Sequence, residues 1–298
     1  MTIFTISKPF RGHIGVIQTN AIQSWLLLYP EPEVILFGNE EGTAEVASRF
    51  GIRHIAEVEC NEYGTPLVSS IFGIAQNTAK YQLMCYVNAD IILMSDFLLA
   101  VQRIHKYPFL MVGQRWDLEL NEAVNFDDTQ WESRLRTYVA EQGKLHPKSG
   151  IDYFVFSRGL YNDIPPLAIG RGGWDNWLVY QARRLKVTVI DATKAITAVH
   201  SNHDYSHHPG GTVGVREGPE AIRNRELAGW GEHALTLEHA TWTLTSQGIR
   251  RALTMRHLYF RLDAMPVLYS HLYFLRRPMK ALRRLIIHIR SMLGITQN

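Results

Sequence analysis

Between Tyr81 and Leu93 the chain runs Tyr-Gln-Leu-Met-Cys-Tyr-Val-Asn-Ala-Asp-Ile-Ile-Leu, an apolar stretch broken near its end by Asn88 and Asp90. A strand with one face in water alternates apolar and polar residues, whereas one buried on both faces reads as a continuous apolar run. Such a strand sits inside a parallel sheet with helices packed on both sides, so the run commits the chain to an α/β architecture.

The first ninety residues supply the partners. Ile3 to Ile6 reads as a strand, Asn20 to Tyr29 as a helix ending before Pro30, and Glu33 to Phe37 as a second strand closed by Gly38. Thr43 is expected to cap a helix running to Phe50, with Gly51 as its C-terminal glycine. His54 to Val58 reads as a third strand, and Thr65 to Ala79 as a helix with Thr65 at its cap and Pro66 in its first turn. Further on, Phe109 to Gly113, Asp152 to Phe156, Lys186 to Ile190 and Ala195 to Val199 are strand-like. Asp128 to Gln142 and Trp174 to Leu185 read as helices, and His200 to Gly211 as a loop.

Composition limits the class further. With 298 residues, 46% of them hydrophobic and 20% charged, the chain can bury a large core. The segment from Met1 reaches Lys8 and Pro9 too early to hold the apolar centre of a signal peptide. Runs such as Trp25 to Tyr29 are far shorter than the roughly 20 residues that span a bilayer. Cys60 and Cys85 are the two cysteines, Cys85 inside an apolar strand, so a reducing, cytoplasmic setting is expected.

Ligands in open α/β sheets bind beyond the carboxyl ends of the strands, where Asn88 and Asp90 fall. A carboxylate there is a hard donor suited to Mg²⁺ or Mn²⁺, ions that complete their coordination with substrate phosphates. A short first strand, a second strand followed by the acidic loop Phe37-Gly-Asn-Glu-Glu41, the strand ending Tyr86-Val-Asn-Ala-Asp90, a tryptophan-acid segment and a late histidine follow one another over residues 1 to 205. This pattern resembles the glycosyltransferases of the GT-A fold. The resemblance implies a Rossmann-like, mixed but mostly parallel sheet with helices on both faces. It implies a nucleotide-diphospho-sugar over the first strands and Mn²⁺ or Mg²⁺ on the diphosphate. The family's Asp-x-Asp has Asn88 in its first place here, so Asp90 is the implied metal ligand and Asn88 a ribose contact.

Two further elements fit that scheme. In Gly170-Arg-Gly-Gly-Trp-Asp-Asn-Trp177 the glycines allow close backbone approach, Asp175 opens a helix where it can accept a proton from an attacking hydroxyl, and Arg171 can neutralise a leaving diphosphate. Trp174 lines the donor site in this reading, and Asp152 is the rival carboxylate. His200, ending the last strand, is the implied second metal ligand. His203 follows at ligand-like spacing, but no cysteine accompanies the pair as in many zinc sites. Thr5, Ser7, Glu40, Thr65 and Ser69 are expected around the base and ribose of the donor.

The formal charge of +3 is unevenly spread. From Arg250 onward ten Lys and Arg face one acid, Asp263, a local +9 that leaves −6 for the preceding chain. Met279, Leu282, Ile286, Ile289 and Leu293 recur at helical spacing opposite Lys280, Arg283 and Arg284, an amphipathic cationic helix suited to an anionic membrane surface. A helical cap packed on the sheet or a homodimer interface is the alternative use of that surface. Nucleic acid is not expected, because the acidic body would repel it.

The division expected is a GT-A domain over 1–245, with a nucleotide-binding half at 1–90 and an acceptor and catalytic half at 91–245, and a basic helical tail at 246–298. The activity expected is metal-dependent, inverting transfer of a sugar to a glycan or lipid-linked acceptor by a protein peripheral to the cytoplasmic face of a membrane. A sugar-phosphate nucleotidyltransferase is the same-fold alternative, although no glycine-rich Arg/Lys signature follows the first strand. A non-catalytic sugar-binding or scaffold protein is the other.

Overall fold

The computed structural model describes residues 1–203 and 211–278. These residues fall into two compact units, Met1–Ala252 and a second beginning at Leu253. The first half of the larger unit alternates as the apolar runs require: β1 (Thr2–Ile6), α1 (Gly12–Leu26), β2 (Glu33–Phe37), α2 (Thr43–Phe50), β3 (Arg53–Ile55), α3 (Val68–Thr78) and β4 (Leu83–Val87). It continues with β5 (Ile91–Ile92), α4 (Asp96–Gln102), β6 (Phe109–Val112), β7 (Arg115–Leu118), α5 (Trp131–Gln142), β8 (Lys144–Leu145) and β9 (Tyr153–Ser157). Then come α6 (Trp174–Arg184), β10 (Thr188–Asp191), β11 (Ala198–Ser201), α7 (Gly211–Glu217), α8 (Pro219–Leu227), β12 (Trp242–Thr245) and β13 (Gly248–Arg251).

The main sheet has the order β13-β12-β10-β6-β9-β4-β1-β2-β3. Pairing is parallel from β3 to β4 and from β6 to β12, while β9 runs antiparallel between the two halves. That reversal matters for function. It sets the first residue of β9 beside the last of β4, Val87 opposite Tyr153, so that Asn88 N–H donates to the Asp152 carbonyl at 2.9 Å. A smaller sheet, β5-β11-β7-β8, pairs His200 with Ile91 on one side and with Asp117 on the other.

Burial of the inner strands explains their composition. Phe4, Phe72, Tyr86 and Phe156 form an interlocked aromatic cluster, with ring centroids 5.1 Å apart for Phe4 and Phe72 and 5.3 Å for Phe72 and Tyr86. Fully buried Trp25 donates its indole N–H to the Ile91 carbonyl at 2.9 Å, tying α1 to the strand that follows Asp90. Cys85 is buried, as its apolar surroundings indicate.

Several local expectations change. α1 starts at Gly12, eight residues before Asn20, because its polar residues are satisfied at a distance: Gln18 bonds the Lys8 backbone, and Asn20 bonds the Glu122 carbonyl and the Val124 N–H. Gly42, at φ 82°, takes the cap position of α2, and Thr43 turns its hydroxyl to Ser7, 3.0 Å away. Thr65 does not cap α3. Residues 65 to 67 are drawn into antiparallel bridges, Cys60 with Pro66 and Leu67 with Ala168, and the helix begins at Val68. β3 is three residues long, α5 starts at Trp131 rather than Asp128, and the last inner strand is β11, ending at Ser201 rather than Val199. The first unit extends past 245 because the antiparallel hairpin of β12 and β13 completes the main sheet.

The second unit holds α9 (Met255–Leu268), whose cap Thr254 accepts from the His257 N–H, and a 3-10 turn over Ser270–Leu275. Pro266 lies inside the last turn of α9. Among the described residues no helix is long and apolar enough to cross a membrane. His207, His208 and the apolar stripe from Met279 to Leu293 lie outside the described residues.

Candidate metal centre and active site

The end of β4 and the end of β11 meet because β5 pairs with β11 in antiparallel register. Asp90 Oδ2 lies 3.7 Å from His200 Nε2 and 3.0 Å from His203 Nε2, and one donor atom from each of the three residues falls within 4.8 Å of the others. The other oxygen, Oδ1, is buried with no hydrogen-bond partner, an arrangement costly to a carboxylate with nothing else to coordinate. Burial by itself would raise the Asp90 pKa, but His200, His203 and Lys8 outweigh it and hold the group well below the ordinary carboxylate range. The donor set is thus an ionised oxygen with two imidazoles. It fits a divalent ion, and the imidazoles favour Mn²⁺ and its neighbours over Mg²⁺.

Lys8 follows β1 and reaches the same point, its Nζ 3.2 Å from His203 Nε2 and 4.0 Å from Asp90 Oδ2. Burial lowers its pKa, with the charge of Asp90 opposing.

A second layer of polar residues lies behind the first, although His200 Nδ1 makes no hydrogen bond. Asp117 Oδ1 lies 3.3 Å from His200 Nδ1, and its Oδ2 lies 2.6 Å from His146 Nδ1. A carboxylate behind a ligand imidazole fixes which ring nitrogen faces the metal. Burial pushes Asp117 up, while His200, Arg115 and His146 bring it to well below its ordinary value. Arg115 bridges two acids, with Nε 2.8 Å from Asp117 Oδ1 and Nη1 2.5 Å from Asp152 Oδ1. Asn88 donates through Nδ2 to the same Asp152 oxygen at 2.7 Å, while Asp152 Oδ2 is buried without a hydrogen bond. An aspartate at position 88 would face Asp152 with like charge, so the amide suits this neighbour.

Asp175 lies in the first turn of α6, after Gly173 at φ 101°. Burial pushes its pKa up to about 7; the backbone N–H groups of Asn176 and Ile151 oppose the rise, and the charge of Asp152 adds to it. A carboxyl group whose pKa lies near neutrality is suited to general-base work.

The remaining residues singled out in the sequence have other surroundings. Arg171 is held by Glu220, with Nε 2.9 Å and Nη2 2.6 Å from Oε2, and its Nη2 is 3.4 Å from the Thr65 hydroxyl; this pair is largely buried. Trp174 is 6% exposed and packs edge-on against Tyr86 at 5.3 Å, a core position. Thr5 is buried with its hydroxyl unbonded, Ser7 pairs with Thr43, and Glu40 is exposed with its carbonyl accepting from Thr43 N–H. Ser69 lines a groove of about 570 Å³ with Glu57, Glu59 and Asn77.

Lys8, Arg115, Asp117 and His146 were not signalled by motif. Arg115-x-Asp117 does carry a trace, since residues two apart on a strand share a face. The His200-x-x-His203 spacing was visible, and the structure brings both rings to Asp90.

No protein-family model matches the sequence, and no curated protein matches it by sequence. Among solved structures, the chain resembles GalNAc-T7 crystallised with UDP, GalNAc and Mn²⁺, with 15% identity and a TM-score of 0.50 over 78% of this chain and 49% of that one. The chain therefore spans about half the length of that protein. It also matches the mannosyltransferase PcManGT from Pyrobaculum calidifontis, in complex with GDP-Man and Mn²⁺, at 12% identity and a TM-score of 0.41 over 67% of this chain and 56% of that one. A third match is glucosyl-3-phosphoglycerate synthase from Mycobacterium tuberculosis with Mn²⁺, UDP and phosphoglyceric acid, at 16% identity and a TM-score of 0.40 over 68% and 70% of the two chains. The fold is that of the GT-A nucleotide-diphospho-sugar transferases.

Proposed function

We propose that this protein is a Mn²⁺-dependent glycosyltransferase that moves a sugar from a nucleoside-diphosphate donor to a hydroxyl of a carbohydrate or lipid-linked acceptor. One observation carries the reading: Asp90, His200 and His203 converge, with a bare buried carboxylate oxygen, at the carboxyl end of β4 in a GT-A fold. A cation bound by these three residues would neutralise the donor diphosphate and so favour its departure.

The chain's own residues divide the rest of the work. Asp175, with a pKa near neutrality, takes the proton of the acceptor hydroxyl as the oxygen attacks the anomeric carbon and the bond to the diphosphate oxygen breaks, a general-base contribution of roughly 10² to 10⁴. The configuration inverts in this scheme. Arg115 and Asn88 fix Asp152, whose charge helps keep Asp175 basic. Arg171 is engaged by Glu220, so Lys8 is the cation that approaches the phosphates. Asp117 stands behind His200.

The acceptor is proposed to lie on a membrane or an envelope polysaccharide, with the protein on the cytoplasmic face. The ten cationic residues from Arg250 onward support attachment to an anionic surface. A nucleotidyltransferase and a non-catalytic sugar-binding protein are the competing readings. A thermal-shift screen of UDP- and GDP-sugars with and without Mn²⁺, followed by assay of nucleoside diphosphate release, separates them. Stabilisation that requires Mn²⁺ together with acceptor-dependent release is expected. Binding without turnover on any acceptor would leave a sugar-binding protein, and pyrophosphate release when UTP or GTP is supplied with a sugar 1-phosphate would mark a nucleotidyltransferase.

A further inference from the structure

Trp230 is held in a backbone conformation that a bulky residue seldom adopts. Its φ is 53°, and it stands between Gly229 at 66° and Gly231 at 82°, so three successive residues are left-handed. Lys186 is the other non-glycine with positive φ among the described residues. Large side chains in that region are strained, and such strain persists where the surrounding structure imposes it, commonly at binding sites. Burial does not offset it here, because Trp230 is 64% exposed.

The turn that presents this indole is anchored on α6 around Asp175. Ala228, just before it, faces Gly173, where a Cβ would lie 4.0 Å from the Ala228 Cβ. Leu235, just after it, donates its N–H to the Asn176 carbonyl at 3.3 Å. The segment after α8 thus touches the start of α6 at Gly173 and at Asn176, on either side of Asp175 in sequence. Between these points His233 stacks on Tyr180, ring centroids 4.0 Å apart and planes 11° apart, and a Cβ on Gly229 would meet the His233 ring at 2.9 Å. Tyr180 is five residues beyond Asp175, about 7.5 Å along the axis and roughly 140° around the helix, so this stack braces the turn from a neighbouring face of α6. At its base the Trp230 N–H donates to the Arg225 carbonyl at 2.5 Å, closing the turn on the end of α8.

We infer that Trp230 is an acceptor-side platform on which a pyranose ring stacks, so that a hydroxyl of the carbohydrate reaches Asp175. The inference rests on the glycosyltransferase reading above and names the acceptor class that the same site takes. A pyranose offers a face of C–H groups rimmed by hydroxyls, which suits an indole that is flat, apolar and carries one N–H donor. A lipid contact fits less well: the adjoining helix α8 carries charges of both signs, including the pair Arg223 and Glu226 at 3.4 Å.

The test uses the full chain with Mn²⁺ and UDP or GDP, and methyl glycosides of glucose, galactose, mannose and N-acetylglucosamine as probes. Saturation-transfer NMR reads binding to the ring protons. The wild type is expected to bind at least one glycoside, Trp230→Phe to retain it, and Trp230→Ala and Trp230→Asn to weaken it roughly tenfold or more. Trp230→Asn is also expected to melt a few degrees higher, because asparagine tolerates the left-handed conformation; loss of binding with gain of stability is a signature that a merely structural tryptophan would not give. The proposal is overturned if the wild type binds no glycoside, if Trp230→Ala binds as the wild type does, or if both truncations lower the melting temperature. It is also overturned if Trp230→Ala loses binding to anionic phosphatidylglycerol vesicles but not to glycosides. Trp230-dependent glycoside binding in a protein that binds neither UDP nor GDP with Mn²⁺ would support the platform while removing the transferase reading.

Discussion

Replacing Asp175 with asparagine should make the protein more stable at pH 8 and much less active. In the folded chain the carboxyl has a pKa of about 7, against an ordinary 3.8. Because the folded value is raised, the protonated acid suits the native state. The associated stability is fully present below about pH 4 and is lost as pH rises to 7, where the native state must hold a buried charge. At 1.36 kcal/mol per pK unit the difference is at most ~4 kcal/mol, and since Asp175 retains partial exposure, about 2 kcal/mol is expected after solvent screening. Asparagine keeps the shape without the charge. Urea unfolding of wild type and Asp175→Asn at pH 4.5, 6 and 8 measures the effect: the variant's advantage should be small at pH 4.5, most of it should be present by pH 6, and it should level off above pH 7. Asp90 and Asp117, whose pKa values are depressed, lose stability as pH falls, but they do so in both proteins and cancel in the difference. Turnover should fall at least about a hundredfold with donor affinity retained. A stability difference that does not vary with pH would refute the raised pKa, and wild-type turnover would transfer the base to Asp152.

Asp90→Ala should abolish Mn²⁺ binding measured calorimetrically with the metal alone, and His203→Ala should weaken it at least about tenfold; an unchanged affinity in either removes that residue from the ligand set. Arg115→Leu should destabilise the fold by about 3–5 kcal/mol, since it leaves the buried Asp152 charge facing only Asn88, and adding Asp152→Asn should restore most of the loss; a double variant no better than the single one would show that packing dominates. Truncation after Ala252 should leave a folded body that no longer sediments with anionic vesicles, whereas the full chain should bind them in a salt-sensitive manner; equal sedimentation of the two would rule out the tail as the attachment.

The architecture was legible because it depends on local pattern. The apolar run of β4, the glycine after α2 and the alternation of strands with helices each report burial and backbone conformation at their own positions. Asp90 was legible for the same reason, as a polar residue at the mouth of a strand apolar on both faces. His200 and Asp175 came from resemblance and from the glycines and tryptophans around them. The small sheet that delivers His200 to Asp90 was not legible, since β5 has two residues and β8 two, too few for any period to show.

The role of Asn88 depended entirely on the reversal of β9. Sequence places Asn88 and Asp152 sixty-four residues apart, and only antiparallel pairing beside β4 makes them hydrogen-bonded neighbours. Arg171 shows the converse: glycines and a charge marked it for the diphosphate, and α8 supplied Glu220 to hold it elsewhere. Burial and chain conformation are properties of a segment and are written in its residues. Which charge meets which is decided by strand order and helix placement, where a partner from a distant segment sets the Coulomb energy of a side chain that its own neighbours in sequence leave open.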